Sequence, residues 1–224
     1  MDISIVIPAY NEEGRIGGVL APLMDLDLIK EIIVINDGSV DETSREARRY
    51  PVTVIDFQKN YGKAAAMKRG IIESTGEWIL FLDADLCGLK KEHIVTMIEY
   101  TLKKDVDMVL GLFTKGRLIT DISHKIAPFL SGQRLVKRIV LEQIPIWEDN
   151  RYGVELVITE HINKIKGKVK KVYMPHVYHV PKEVKRGWIK GKIEKHIMYR
   201  NILFTFFELY LLPRWIRRLY RYSS

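Results

Sequence analysis

An open α/β sheet, mostly parallel and flanked by helices, is the fold that this 224-residue sequence predicts. Two observations carry the prediction. Three apolar, strand-like runs each end in an acidic or polar loop, and helix-like and strand-like stretches keep alternating further along the chain. In such a sheet, ligands bind in the crevice outside the carboxyl ends of the strands. The loops are therefore expected to carry the chemistry.

The first run, Ile3-Ser4-Ile5-Val6-Ile7, is cut off by Pro8-Ala9-Tyr10-Asn11-Glu12-Glu13, where proline ends ladder pairing and polar residues open a loop. The second, Glu31-Ile32-Ile33-Val34-Ile35, ends in Asn36-Asp37-Gly38-Ser39 with Asp41 close behind, and Gly38 permits a tight turn that presents Asp37. The third, Trp78-Ile79-Leu80-Phe81-Leu82, leads into Asp83-Ala84-Asp85. Leu89 to Lys103 has Ile94, Ile98, Thr101 and Leu102 at helical intervals. Short strands are expected at Asp107–Leu112 and Val169–Met174.

If the third run stays a strand, Asp83 and Asp85 share a face and project together from its end. Two clustered anions repel unless a cation or donors satisfy them. A hard divalent cation such as Mg2+ or Mn2+ suits one or two carboxylates and completes its shell with water and phosphate oxygens. The acid pair therefore reads as a metal–diphosphate site, against the plainer reading of a solvated acidic turn. Ordinary Asp-capped turns explain any one of the three strand ends but not their common chemistry.

Four ordered motifs in roughly the first 90 residues resemble those of the family 2 nucleotide-sugar glycosyltransferases of the GT-A fold, a Rossmann-like nucleotide-sugar-binding architecture. They are Val6-Ile7-Pro8-Ala9-Tyr10-Asn11-Glu12-Glu13, then Val34-Ile35-Asn36-Asp37-Gly38-Ser39 with Asp41, then Asn60-Tyr61-Gly62-Lys63 with Ala64 to Gly70, and Gly76-Glu77 leading into Asp83-Ala84-Asp85. The resemblance implies a donor pocket in which Pro8, Ala9, Tyr10 and Glu12 line the nucleoside and Asp37 meets the base. Lys63 would approach the base or the diphosphate, Asp83 the ribose and metal, and Asp85 the metal. It also implies a Mg2+ or Mn2+ cofactor, a nucleoside-diphosphate sugar as donor, with a UDP-sugar expected by family analogy alone, and inversion at the anomeric carbon. Asn36 departs from the pattern, since many relatives carry a second Asp there. A neutral amide still accepts a hydrogen bond.

The acceptor side resembles two neighbouring groups. Ser131-Gly132-Gln133-Arg134 is similar to the Ser-Gly-Phe-Arg stretch of dolichyl-phosphate-sugar synthase relatives, with Gln133 replacing the aromatic residue. Tyr152-Gly153-Val154-Glu155 is similar to glucosyl-3-phosphoglycerate synthases, a retaining group in which a histidine near the position of His176 and His179 joins the aspartates on the metal; His179 is the candidate here. Gln133 and Arg134 are thus acceptor or phosphate candidates. Lys182, Lys185 and Arg186 are flexible cations suited to phosphate oxygens. For a hydroxyl acceptor, Glu148, Asp149 or Glu155 would act as general base; a phosphate acceptor is already an anion and needs none. The acceptor is expected to be phosphorylated or membrane-proximal, such as polyprenyl phosphate, with a small soluble phosphorylated molecule as the alternative.

A hydrophobic content of 47% supports one substantial core. The single cysteine, Cys87, excludes an internal disulfide framework, and with no secretory signal at the amino terminus it points to a cytoplasmic protein. Charge is divided unevenly: residues 1–160 hold 20 Lys and Arg against 25 Asp and Glu, whereas residues 161–224 hold 16 against 3. A basic carboxyl-terminal quarter implies an anionic partner. Residues 1–195 are read as the catalytic domain and residues 196–224 as a basic, aromatic tail. In that tail Trp215, Leu219 and Tyr222 recur at helical spacing with arginines between, an amphipathic helix suited to an anionic membrane surface on the cytoplasmic face. The same apolar side suits packing on the protein's own core or on a second copy in a homodimer. A nicotinamide-binding enzyme is disfavoured, because the first strand is not followed by Gly-x-Gly-x-x-Gly and Gly14, Gly17 and Gly18 come too late. A non-enzymatic nucleic-acid-binding protein could use the basic tail but would leave the acidic strand ends unexplained. No nucleic-acid partner is expected.

Overall fold

The computed structural model describes residues 2–102, 105–114, 131–144 and 153–180. The chain divides into two compact units, Met1–Val180 and Pro181–Ser224. The second lies wholly outside the described residues, and so does the predicted tail.

In the first unit the strands are β1 (Ile3–Ala9), β2 (Ile29–Asn36), β3 (Thr53–Asp56), β4 (Trp78–Phe81), β5 (Leu86–Cys87), β6 (Met108–Thr114), β7 (Arg134–Lys137), β8 (Val169–Pro175) and β9 (Tyr178–His179). The helices are α1 (Ile16–Leu20), α2 (Thr43–Ala47), α3 (Lys63–Glu73), α4 (Lys91–Glu99), α5 (Arg138–Glu142) and α6 (Val154–Lys164). Seven strands form one sheet in the order β3-β2-β1-β4-β7-β6-β8, and β5 and β9 make a separate antiparallel pair. All neighbours in the large sheet are parallel except those of β7, which runs antiparallel to both β4 and β6.

Period-two alternation decides which core each side chain enters. Ile3, Ile5 and Ile7 of β1, with Trp78 and Leu80 of β4, belong to a core that includes residues of α1 and α4. Val6, Ile79 and Phe81 point the other way, into a core shared with α3, α5 and α6. Because both faces are covered, β4 reads as an unbroken apolar run and β1 as one interrupted only by the buried Ser4. The strand order reverses at β1, which has β2 on one side and β4 on the other. A crevice at such a switch point lies outside the carboxyl ends, here Ala9, Asn36 and Phe81.

The expected elements form with shifted ends. The helix predicted over 89–103 runs Lys91–Glu99, where Gly88, at φ 73°, turns the chain before it, and Leu102 is exposed rather than part of the buried stripe. The strand predicted over 107–112 runs Met108–Thr114, because it pairs with β8 along that whole length. One prediction is corrected: β4 stops at Phe81, so Asp83 and Asp85 do not share a face by strand pleat. They lie in the turn between β4 and β5, and it is the β5–β9 ladder that shapes their surroundings.

Candidate functional site

Two loops at the head of the sheet are fastened to each other through backbone groups. After β1, the Asn11 amide donates to Ser39 Oγ at 2.9 Å, and the Val40 amide donates to Asn11 Oδ1 at 3.0 Å. The Glu12 amide donates to Thr43 Oγ1 at 2.7 Å, and the Glu12 carboxylate pairs with Arg15 Nε at 2.6 Å. At the end of β2 the Asp37 amide donates to the buried Ala9 carbonyl at 2.8 Å. The Asp37 carboxylate, 3% exposed, accepts the amides of Tyr61 at 2.7 Å and Gly62 at 2.9 Å. Asp37 thus holds the turn that opens α3. Gly38 lets this turn pass close: at φ 69°, a Cβ there would lie 2.4 Å from the Lys59 carbonyl carbon. Asn36 also has two jobs, donating from Nδ2 to Asp56 at 2.8 Å and accepting the Ser39 amide on Oδ1 at 3.2 Å.

Lys63, the first residue of α3, reaches the centre of the site. Its ammonium lies 2.6 Å from Asp83 Oδ1 and 2.6 Å from Glu155 Oε1. The other Asp83 oxygen, Oδ2, accepts Gln133 Nε2 at 2.8 Å and is 3.6 Å from His179 Nε2. His179 Nδ1 is 2.9 Å from Asp85 Oδ1. It arrives there because β9 pairs with β5, setting Leu86 opposite His179, one residue past Asp85. The Phe113 ring packs edge-on against His179, with centroids 5.0 Å apart.

Burial alone would push each of these ionisable groups toward its neutral form, and their mutual charges reverse that for three of them. The Asp83 carboxyl is held below the usual range, since Lys63 and His179 outweigh desolvation and the nearby Asp85 charge. The Lys63 pKa is raised, as Asp83 and Glu155 outweigh its desolvation. The His179 pKa is raised too, burial being overcome by Asp85 and Asp83. For Arg134 burial dominates: with Glu155 and Asp83 only partly compensating, its pKa falls to about 10, and the side chain remains a cation at neutral pH.

One ligand atom each from Asp83, Asp85 and His179 falls within 4.8 Å of the others. That spread is close to the roughly 4 Å between opposite ligands of a cation with bonds of about 2.1 Å. The two carboxylate oxygens suit Mg2+ or Mn2+, with the imidazole nitrogen as a third donor close by, so the residues present fit the expected ion.

Lys63, Asp83, Asp85, Glu155, His179 and Gln133 therefore converge from five separate stretches of sequence, with Arg134 directly behind. Gln133 and Arg134, predicted to face an acceptor, are both fully buried and turned inward. Arg134 donates to the Ser131 carbonyl at 2.7 Å and to Thr159 Oγ1 at 2.9 Å, which makes it an internal counter-charge. Pro8, Tyr10 and Glu12 are half-buried beside Asp37 at the ends of β1 and β2. Glu148, Asp149, Tyr152, Lys182, Lys185 and Arg186 lie outside the described residues. Sequence reasoning missed Gly132, where an added Cβ would fall 2.3 Å from Asp83 Oδ2. A glycine just before a strand was the available signal, but its neighbour 49 residues away was not readable.

A family model described as Glycosyl transferase family 2 matches residues 4–154. The 4,4'-diaponeurosporenoate glycosyltransferase of Staphylococcus aureus (strain USA300) is 41% identical over 107 residues, a match covering 45% of this chain and 28% of that protein. The matched stretch is thus under a third of that relative's length. Glucosyl-3-phosphoglycerate synthase from Mycobacterium tuberculosis, solved with Mg2+ and uridine-diphosphate, superposes with a TM-score of 0.76 at 23% identity, covering 95% of this chain and 80% of that one. The same synthase solved with Mn2+, uridine-diphosphate-glucose and phosphoglyceric acid gives a TM-score of 0.75 at 23% identity, with the same coverage. These likenesses establish a GT-A-type fold.

Proposed function

The chain belongs to glycosyl transferase family 2, and on that premise we propose that it transfers a sugar, with inversion, from a nucleoside-diphosphate sugar to a phosphorylated or membrane-proximal acceptor such as polyprenyl phosphate. UDP-sugars are the first donors to test. The observation that carries the reading is the Asp83–Asp85–His179 cluster with Lys63 beside it, at the carboxyl ends of the strands. Asp83, Asp85 and His179 would hold a divalent cation there, which would supply Lewis-acid stabilisation of the departing diphosphate.

The chain's own residues supply the rest. Asp37 braces the Tyr61-Gly62 turn and so aims Lys63, whose ammonium is placed to meet phosphate charge next to Asp83. Glu155, drawn to within one ammonium of Asp83, is the described candidate for taking the proton of a hydroxyl acceptor. Arg134, buried behind, offsets the accumulated negative charge without touching substrate.

A second reading, transfer to a small soluble phosphorylated acceptor, is supported by the fold likeness to a synthase solved with phosphoglyceric acid and with glycerol 3-phosphate, and by Glu155 lying inside the cluster. Among the described residues no helix is long and apolar enough to cross a membrane. The basic tail's affinity for anionic lipid and a homodimer are part of the first reading.

A screen of nucleotide sugars with Mn2+, followed by thermal shift and by release of nucleoside diphosphate, tests the activity. Metal-dependent stabilisation by a donor, lost in Asp85→Asn, is expected. A chain that no donor stabilises with Mn2+ would overturn the proposal. Polyprenyl phosphate against 3-phosphoglycerate then separates the acceptors, and NMR of the product anomer reads the stereochemistry.

A further inference from the structure

Gln133 sits in a stretch whose sequence suggests an acceptor contact, yet its side chain has no exposure. Its amide nitrogen donates to Asp83 Oδ2 at 2.8 Å. The opposite end of the amide is 3.1 Å from the Ser131 hydroxyl, which also lies 2.5 Å from the Gly111 carbonyl. The Gly111 amide in turn donates to the Gln133 carbonyl at 2.9 Å, tying the residue to β6. A flipped amide would put oxygen against a carboxylate, so the hydrogen-bond network itself assigns the orientation.

Backbone register explains why this reach is short. Phe81 pairs with Arg134, so Gly132 and Gln133 lie across from the residues that follow β4. Gly132 has no side chain to hold the strands apart at the point where Asp83 lies. With Lys63 on Oδ1 and Gln133 on Oδ2, the carboxylate is fixed at both oxygens and its rotation about the Cβ–Cγ bond is set. The aromatic residue of the Ser-Gly-Phe-Arg stretch that this segment resembles has no donor to offer here.

We propose that Gln133 is a positioning residue of the Asp83–Asp85–His179 cation site, orienting Asp83 rather than touching an acceptor. The inference rests on the cation-site reading given above. Partners that orient a metal ligand are typically worth about 10- to 100-fold in affinity.

The test is Mn2+ binding to the full chain, with the metal alone as probe, followed by electron paramagnetic resonance of free Mn2+. Wild type, Gln133→Met, Asp83→Asn and the double variant form a cycle. Gln133→Met should weaken Mn2+ about 10- to 100-fold and add nothing further in the Asp83→Asn background. A loss that adds fully in that background would mean a general structural effect and overturn the proposal, as would unchanged affinity in the single variant. Wild type failing to bind Mn2+ at all would overturn the cation site itself, a separate and recognisable outcome. If Gln133→Met does not fold, Gln133→Asn, whose amide is too short to reach Asp83, carries the same expectation, and wild-type affinity in it overturns the proposal.

Discussion

Replacing Lys63 by Met keeps an unbranched side chain out to the ε position and removes the charge that joins Asp83 to Glu155. Two charge-assisted hydrogen bonds of 2.6 Å are lost, each worth about 1.5–3 kcal/mol before screening. The Lys63 side chain is 33% exposed against 17% for Asp83 and 13% for Glu155, so water takes over part of what is removed. A net cost of about 2 kcal/mol is expected, between the values for exposed and fully buried pairs. For a domain of this size that corresponds to a melting point lower by about 4–8 °C. The residual negative charge of Asp83, Asp85 and Glu155 should then make the variant more responsive to Mn2+ than wild type, because a cation replaces the missing ammonium. Differential scanning fluorimetry of both proteins, with Mn2+ and with EDTA, measures each quantity. A variant melting within about 1 °C of wild type, with an equal Mn2+ increment, would refute the view of Lys63 as the counter-ion of this centre.

Asn36→Asp restores the acid common in the related family but sets a carboxylate 2.8 Å from Asp56; a loss of about 1–3 kcal/mol is expected by urea unfolding, and an unchanged midpoint would count against the network. Gly132→Ala must displace the Asp83 carboxylate, so Mn2+ binding should weaken while stability falls by about 1–3 kcal/mol; intact Mn2+ affinity would contradict the close approach. Acid stability provides the pH test. In Glu31, Asp56 and Asp107 burial raises the carboxyl pKa but is outweighed, by Ser4 and Thr75, by Ser44, Asn36 and Arg48, and by Lys137 and the Lys168 amide respectively. A lowered carboxyl pKa contributes stability that is present above the unfolded value, 4.5 for Glu and 3.8 for Asp, and is lost as pH falls through the folded value. The melting point should therefore fall progressively below about pH 4.5, and less steeply in Asp107→Asn; a flat profile from about pH 5 to about pH 3 would refute it.

The apolar runs of β1, β2 and β4 and the acids after them were legible in the sequence because burial on both faces leaves a continuous hydrophobic signature that needs no partner to be recognised. Asp83 and Asp85 were legible as candidates because clustered carboxylates after an apolar run are local chemistry, whereas His179 was singled out only through the resemblance to glucosyl-3-phosphoglycerate synthases. What put them together was not local. The turn that turns Asp83 and Asp85 inward depends on β5 pairing with β9, and the Lys63 bridge spans 20 residues on one side and 92 on the other. Gln133 and Arg134 show the same limit, since their residue types suit an acceptor's phosphate equally well as a buried carboxylate. Long-range pairing decided between them, because Phe81 pairs with Arg134, Gly132 leaves room for Asp83, and the Gln133 amide then reaches the Asp83 carboxylate. Composition and period thus determined the sheet and the sign of the charge at its head, while long-range pairing, which no stretch of sequence encodes by itself, decided which charges face one another.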